Sequence, residues 1–148
     1  MINLSPIGYV KNDIPEDEVP RNRAEMISEI VIDDYWAKAL TGIEEYSHIF
    51  VLFWMHKTGA AEVEQLIHPR GDNKLPLTGV FASRTRNRPN PVGLAVAELL
   101  KREGNKLKVK RLDAFDGTPV LDIKPYDDYD SFESVNVPDW WAKRCRKK

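Results

Sequence analysis

Ile49-Phe50-Val51-Leu52-Phe53-Trp54 is apolar at every position and dominated by β-branched and aromatic side chains. The run is too short for an ordinary helix but has the length and composition of a strand, so it predicts a central strand covered on both faces. The elements on either side of it are short in the same way. Toward the N-terminus, residues 7–11 read as a first strand, residues 12–20 as an acidic loop holding Pro15 and Pro20, and Pro20-Arg21-Asn22-Arg23 as a polar turn. Ile30-Val31-Ile32 reads as a second strand. Asp33 or Asp34 is placed to cap a short helix through Tyr35, Trp36, Ala39 and Leu40, closed by Gly42 and lying over a sheet.

On the C-terminal side the core strand runs out into Met55-His56-Lys57. The end of a rigid strand is where sites are commonly built, although a histidine there serves equally well as a local hydrogen bonder. Residues 58–68, with Ala60, Ala61, Val63, Leu66 and Ile67, leave a short helix and an irregular excursion both open, and residues 68–74 are rich in turn formers. Residues 94–100 predict a further strand, Gly104-Asn105 a turn, and residues 107–115 an antiparallel return. Asp116-Gly117 marks another hairpin before residues 118–124, residues 127–137 are acidic, and Pro138 opens a short helix carrying Trp140 and Trp141. Many short strands, little helix and closely spaced turns predict a mainly β fold: a small single-sheet antiparallel β-barrel with one or two short helices.

The 148 residues suit one domain, 1–148, with a core over about 1–126, a C-terminal extension over 127–148 and no second domain. A single cysteine, Cys145, cannot close a disulfide within the chain, and no run has the length and apolarity of a membrane span or the pattern of a secretion signal. The expectation is a soluble cytoplasmic protein. A net charge of −1 argues against a general polyanion binder. The charge is nonetheless divided: residues 1–48 hold four basic and ten acidic side chains, whereas 84–111 hold nine basic and two acidic, a strip able to meet nucleic acid.

Within that strip lies Leu-Thr-Gly-Val-Phe-Ala-Ser-Arg-Thr-Arg-Asn-Arg-Pro-Asn-Pro-Val-Gly, residues 77–93. It begins like a strand, with Val80 and Ala82 on one side and Phe81 on the other. Arg84, Arg86 and Arg88 then alternate, so an extended backbone would present all three guanidinium groups on one face. Pro89 and Pro91 stiffen the end of the loop, and Gly93 frees the backbone to turn. A solvated basic turn would use the same arginines; the two prolines favour a loop built in advance for an anion.

Familiar catalytic apparatus is missing. There is no G-x-G-x-x-G turn, Walker loop or G-x-S-x-G elbow, and His48, His56 and His68 have no metal-ligand spacing. A set of polar loops remains, Arg21-Asn22, His56-Lys57, the arginine run and Asp116-Gly117-Thr118, which together suit a polar, nucleotide-like ligand.

Residues 77–93 together with Asp-Gly-Thr-Pro-Val-Leu-Asp-Ile-Lys-Pro-Tyr at 116–126 resemble the signatures of the TrmO family, also called YaeB or TsaA-like, of S-adenosylmethionine-dependent tRNA methyltransferases. The similarity runs from Ile7-Gly8-Tyr9 to about Tyr126. It implies a β-barrel methyltransferase that works as a homodimer, with S-adenosyl-L-methionine near the subunit interface; the histidine spacing leads to an expectation of no metal. Carried over by position, the cofactor contacts fall on Pro20, Arg21, Asn22, His56, Lys57, Arg84, Leu94, Asp116, Gly117, Thr118 and Pro119. The implied reaction is N6-methylation of threonylcarbamoyladenosine at position 37, beside the anticodon, making the tRNA anticodon loop the partner. Arg86 and Arg88 are then left to bind the substrate's carboxylate or neighbouring phosphates.

Bacterial members carry a further C-terminal domain that helps hold tRNA, and this chain resembles the shorter, archaeal-type members. No catalytic residue is assigned; Asp116 and His56 are the acceptors considered for a proton from N6. Two other readings stand beside this one: a non-catalytic RNA-binding β-barrel using residues 84–111 and the basic tail, and an S-adenosylmethionine-dependent methyltransferase acting on a small molecule.

Overall fold

Apolar side chains at every second position let a short strand bury one face, and six such strands close on themselves here. The computed structural model describes residues 1–59 and 62–144, with Arg21 and Asn22 described as backbone alone. The strands are β1 (Gly8–Lys11), β2 (Ile27–Ile32), β3 (His48–Trp54), β4 (Leu66–Ile67), β5 (Thr78–Gly79), β6 (Val92–Glu103), β7 (Lys106–Lys110) and β8 (Pro119–Pro125). Two short α-helices, α1 (Val19–Asn22) and α2 (Asp139–Arg144), are joined by several 3₁₀ turns. The closed barrel runs β1-β2-β7-β6-β3-β8, antiparallel throughout, and β8 returns to β1 through Gly8 opposite Val120 and Tyr9 opposite Pro119. β4 and β5 pair separately as a two-stranded ribbon. This is the mainly β, antiparallel barrel that the turn spacing predicts.

The interior is filled by Val10, Ile30, Ile32, Ile49, Val51, Ala97, Leu107, Val109 and Val120, each 1 % exposed or less. Leu40, Leu112 and Ala114 join the same core. β3 is central, paired to β6 on one side and β8 on the other. Its two faces differ from the expectation, however: Ile49, Val51 and Phe53 are buried, whereas Phe50, Leu52 and Trp54 are half-buried on the outside. A closed barrel encloses only one face of each strand, so an all-apolar run does not imply cover on both.

Other departures have local causes. The segment from Asp34 to Leu40 is a 3₁₀ helix, and Asp33 stands at its cap without a side-chain hydrogen bond to it. Pro20-Arg21-Asn22 belongs to the single turn of α1, not to a loop. Val80–Ala82 is a 3₁₀ turn, not a strand: Val80 is buried, Phe81 stands out at 78 % exposure, and β5 spans only Thr78–Gly79. β7 ends at Lys110 because Arg111 takes a left-handed conformation, φ 71°. The Asp116-Gly117 turn is real, with Gly117 at φ 80°, but it does not make a hairpin: β7 pairs with β2 and β6, while β8 pairs with β1 and β3. Ala60, Ala61 and the tail from Cys145 to Lys148 lie outside the described residues.

Candidate functional site

Three connecting segments meet at one end of the barrel because the strands that carry them are neighbours. Beyond β3, Met55 donates its N–H to the carbonyl of Pro91 at 2.8 Å, and His56 donates to Trp54 at 2.8 Å. Thr58 Oγ1 then donates to the carbonyl of Met55 at 2.8 Å and reaches that of Arg86 at 3.4 Å. The His56-Lys57 turn is thereby stitched to the arginine loop. That loop meets the segment before β8 where the Arg86 guanidinium lies over the Phe115 ring, 5.9 Å from its centroid.

The segment before β8 is anchored from β1. Gly117 N–H donates to Val10 at 2.7 Å, Val10 N–H to Thr118 at 2.9 Å, and Asn12 N–H to Asp116 Oδ1 at 2.9 Å. Asn12 is itself buried and donates from Nδ2 to Ser28 Oγ at 3.0 Å and to the carbonyl of Ala114 at 3.2 Å. Two further contacts complete the rim: Lys57 pairs with Glu16, and Arg23 stands 4.0 Å from Asp113.

These segments surround a cavity of about 850 Å³, within the range typical of small-molecule sites. Val19, Phe53, Met55, Ala114 and Phe115 supply apolar walls; Lys57, Arg70, Arg84 and Arg86 supply cations; Glu16, Asp17, Asp113, His56, Thr58 and Thr118 supply acceptors. Partial desolvation raises the proton affinity of the Asp113 carboxyl, its side chain still 48 % exposed, and the facing Arg23 offsets part of that.

Of the residues expected from sequence, Pro20, His56, Lys57, Arg84, Arg86 and Thr118 line the cavity. Asp116, Gly117 and Pro119 hold its corner without lining it. Arg88 departs from the other two arginines: its Nη1 donates to the carbonyls of Ser83 at 2.8 Å and Thr85 at 3.1 Å, folding the loop back on itself. A shared face for all three guanidinium groups required extended backbone, and the loop is not extended. Leu94 points outward from β6, 63 % exposed, away from the cavity of its own barrel. The side chains of Arg21 and Asn22 lie outside the described residues; their backbone continues directly from Val19 and Pro20 in α1.

Sequence reading missed Asp113 and Phe115, which immediately precede the Asp116 turn, and Arg70, which sits in the turn-rich loop at φ 60°. It also missed Phe53 and Met55, whose position just before His56 was the available signal. Among the described residues no helix is long and apolar enough to cross a membrane, and no cluster of His, Cys, Asp or Glu could hold a metal ion.

S-adenosyl-L-methionine fits this donor set. A guanidinium can take its carboxylate, the apolar walls its adenine, and the acceptors its ribose hydroxyls and ammonium. The comparisons with known proteins agree. The family described as tRNA-methyltransferase O N-terminal domain matches residues 9–131. The chain is 44 % identical over 126 residues to an S-adenosyl-L-methionine-binding protein of Archaeoglobus fulgidus, covering 83 % of this chain and 88 % of that one. It is 45 % identical over 100 residues to a mouse tRNA (adenine(37)-N6)-methyltransferase, covering 67 % of this chain but only 23 % of the mouse protein. A crystal structure of TrmO superposes with a TM-score of 0.75 at 31 % identity, covering 93 % of this chain, which spans 63 % of that structure. The chain therefore belongs to the TrmO family of S-adenosyl-L-methionine-dependent methyltransferases.

Proposed function

We propose that this protein transfers the methyl group of S-adenosyl-L-methionine to N6 of the adenosine at position 37 of tRNA, with the threonylcarbamoylated base of the anticodon loop as its substrate. The observation that carries the reading is the convergence of His56, Lys57, Arg84 and Thr118, from three separated segments, on one cavity. The tRNA adenine-N6 chemistry of the mouse relative supports the choice of acceptor.

Bound S-adenosyl-L-methionine supplies an activated methyl group, so this chain's contribution is chiefly alignment. Arg84 would hold the cofactor's carboxylate, and the apolar walls formed by Phe53, Met55 and Val19 would shelter its adenine from water. Arg86, held over Phe115, is the guanidinium placed to meet an anionic substituent on the incoming base. Arg88 serves this site indirectly, by fixing the loop that carries Arg84 and Arg86.

The protein acts in the cytoplasm as a homodimer. The support is the outer face of β3 and β6, where Leu52 lies opposite Leu94, Phe50 opposite Val96 and Trp54 opposite Val92, an apolar ladder with Leu94 largely exposed. A Leu94 contact to cofactor requires the partner's cavity, because its own barrel turns it away.

The test is label transfer from methyl-labelled S-adenosyl-L-methionine, offering threonylcarbamoylated tRNA, unmodified tRNA and a metabolite extract side by side, with calorimetry of cofactor binding. Label in the modified tRNA, and saturable binding lost in Arg84→Ala, is the expected result. Label only in the extract would move the substrate to a small molecule. Salt-dependent RNA affinity with no cofactor binding would leave an RNA-binding barrel.

A further inference from the structure

An RNA backbone is held by cations that are free to meet phosphate. Along β6 and β7 three basic residues are already matched: Lys101 pairs with Glu103, Arg102 with Glu44 and Lys110 with Glu25. Around the cavity, Lys57 pairs with Glu16 and Arg86 lies over the Phe115 ring. Arg70 and Arg84 also line the cavity, and neither guanidinium has a partner among the described residues.

Arg70 differs from Arg84 in its backbone. At φ 60° and ψ 17° it takes the left-handed conformation, which is unfavourable for a residue with a Cβ, and Gly71 follows at φ 67°. The surrounding loop imposes this. Pro69 and Leu75 are buried and anchor it at both ends. Gly71 N–H donates to the His68 carbonyl at 3.1 Å, Asp72 N–H to the Pro69 carbonyl at 3.1 Å, and Leu75 N–H to the Asp72 carbonyl at 3.0 Å. The His68 ring donates from Nδ1 to the Leu75 carbonyl at 2.9 Å. Asp72 accepts the Lys74 N–H at 2.9 Å and pairs with Arg144 of α2, which ties the loop to the C-terminal helix. None of these bonds is made by the Arg70 side chain. The strained residue therefore gains no contact within the chain, and what the loop delivers is an exposed, unpartnered guanidinium at the mouth of the cavity.

Resting on the tRNA reading above, we infer that Arg70 is a docking residue for the RNA backbone, its guanidinium taking a phosphate of the anticodon loop beside the nucleotide that enters the cavity. A single-stranded loop that splays one base into a pocket lays its neighbouring phosphates along the rim. A guanidinium forks onto two phosphate oxygens at once, so a cation fixed at the rim selects a backbone position as well as a charge.

The experiment compares wild type, Arg70→Gly and Lys101→Ala, a cation already paired on β6, in binding to threonylcarbamoylated and unmodified tRNA across salt concentration. Calorimetry with S-adenosyl-L-methionine and thermal unfolding accompany it. Arg70→Gly should bind both tRNAs roughly tenfold more weakly, with the slope of log affinity against log salt reduced by about 0.7–1. Its cofactor affinity should be unchanged. It should also melt no lower than wild type, because glycine relieves the left-handed backbone. Arg70→Gly binding both tRNAs as tightly as wild type would overturn the inference, as would an equal loss in Lys101→Ala, which would make the effect one of general charge. A loss confined to threonylcarbamoylated tRNA would move Arg70 to the substrate's carboxylate, and a loss of cofactor affinity would move it to the cofactor; either overturns the phosphate assignment. A variant melting below wild type would show that the arginine side chain holds the loop, with the same consequence. If wild type binds neither tRNA, the functional reading fails first and this inference falls with it.

Discussion

Asn12 N–H donates to Asp116 Oδ1 at 2.9 Å, joining residues 104 positions apart and fastening the loop after β1 to the turn before β8. The cavity wall at Ala114 and Thr118 hangs on that fastening, since Asn12 also holds the Ala114 carbonyl. Asp116→Ala removes a charged acceptor from a part-buried donor and should cost about 1–2 kcal/mol. Asp116→Asn keeps an acceptor oxygen and should recover most of the loss. Urea denaturation of the three proteins measures the difference, and equal midpoints for Ala and wild type would mean that the bond does not hold the corner.

Gly93 is needed for space. A Cβ at this position would clash with the ring edge of Phe53, a buried side chain on the adjacent strand that also lines the cavity. Gly93→Ala should therefore destabilise the barrel by about 1–3 kcal/mol through overpacking. Phe53 would be displaced toward the cavity, so cofactor affinity should fall as well. Thermal unfolding reads the first effect and calorimetry the second; a stable variant with weakened binding would show the ring yielding into the site.

Arg88 tests whether the loop's stiffness has value of its own. Arg88→Ala removes two hydrogen bonds to backbone carbonyls but no group from the cavity lining. Faster hydrogen exchange in residues 84–88 and a cofactor affinity weakened about five- to tenfold are expected, from a loss near 1 kcal/mol in preorganisation. Unchanged exchange would place the stiffness in Pro89 and Pro91 instead.

The half-exposed Asp113 carboxyl binds protons more tightly in the folded chain than in the unfolded one, because its partial desolvation outweighs the attraction of Arg23. Stability should then fall as pH rises from the ordinary aspartate range through the raised folded-state value, with the penalty fully present above it. Asp113→Asn cannot ionise and escapes the penalty. It should melt above wild type at neutral pH and converge with it in acid. A variant less stable than wild type at pH 7 would mean that the Arg23 contact outweighs the burial.

Much of the fold was legible in the chain because it depends on local pattern. Period-two burial in β2, β3 and β7, the Gly104-Asn105 turn and the short C-terminal helix are set by adjacent residues. The sequence signatures pointed to six lining residues because glycine, proline and arginine mark loops whose geometry is special. The features that escaped depend on closure. Whether Leu94 faces its own cavity, or Asp116-Gly117 joins paired strands, is decided by β8 returning to β1, and no local window contains that contact. The fate of Arg88 likewise turned on which carbonyls lay within its reach once the loop had folded.

Leu94 offers the sharpest test of assembly. It is 63 % exposed on the outer face of β6, opposite Leu52, with Phe50, Val96 and Trp54 extending the apolar surface along β3 and β6. Nothing in the barrel interior depends on it, so Leu94→Glu should leave the melting of an isolated barrel nearly unchanged. In a homodimer built on this face, the same substitution loses roughly 1.5–3 kcal/mol of burial per Leu94 and sets a carboxylate against an apolar surface. Sedimentation should therefore show wild type as a dimer and Leu94→Glu as a monomer at the same concentration. If the cofactor site draws Leu94 from the second subunit, affinity for S-adenosyl-L-methionine should fall at least tenfold in step with dissociation. A monomeric variant with full affinity would instead show that one barrel holds the cofactor alone, with Leu94 serving assembly only.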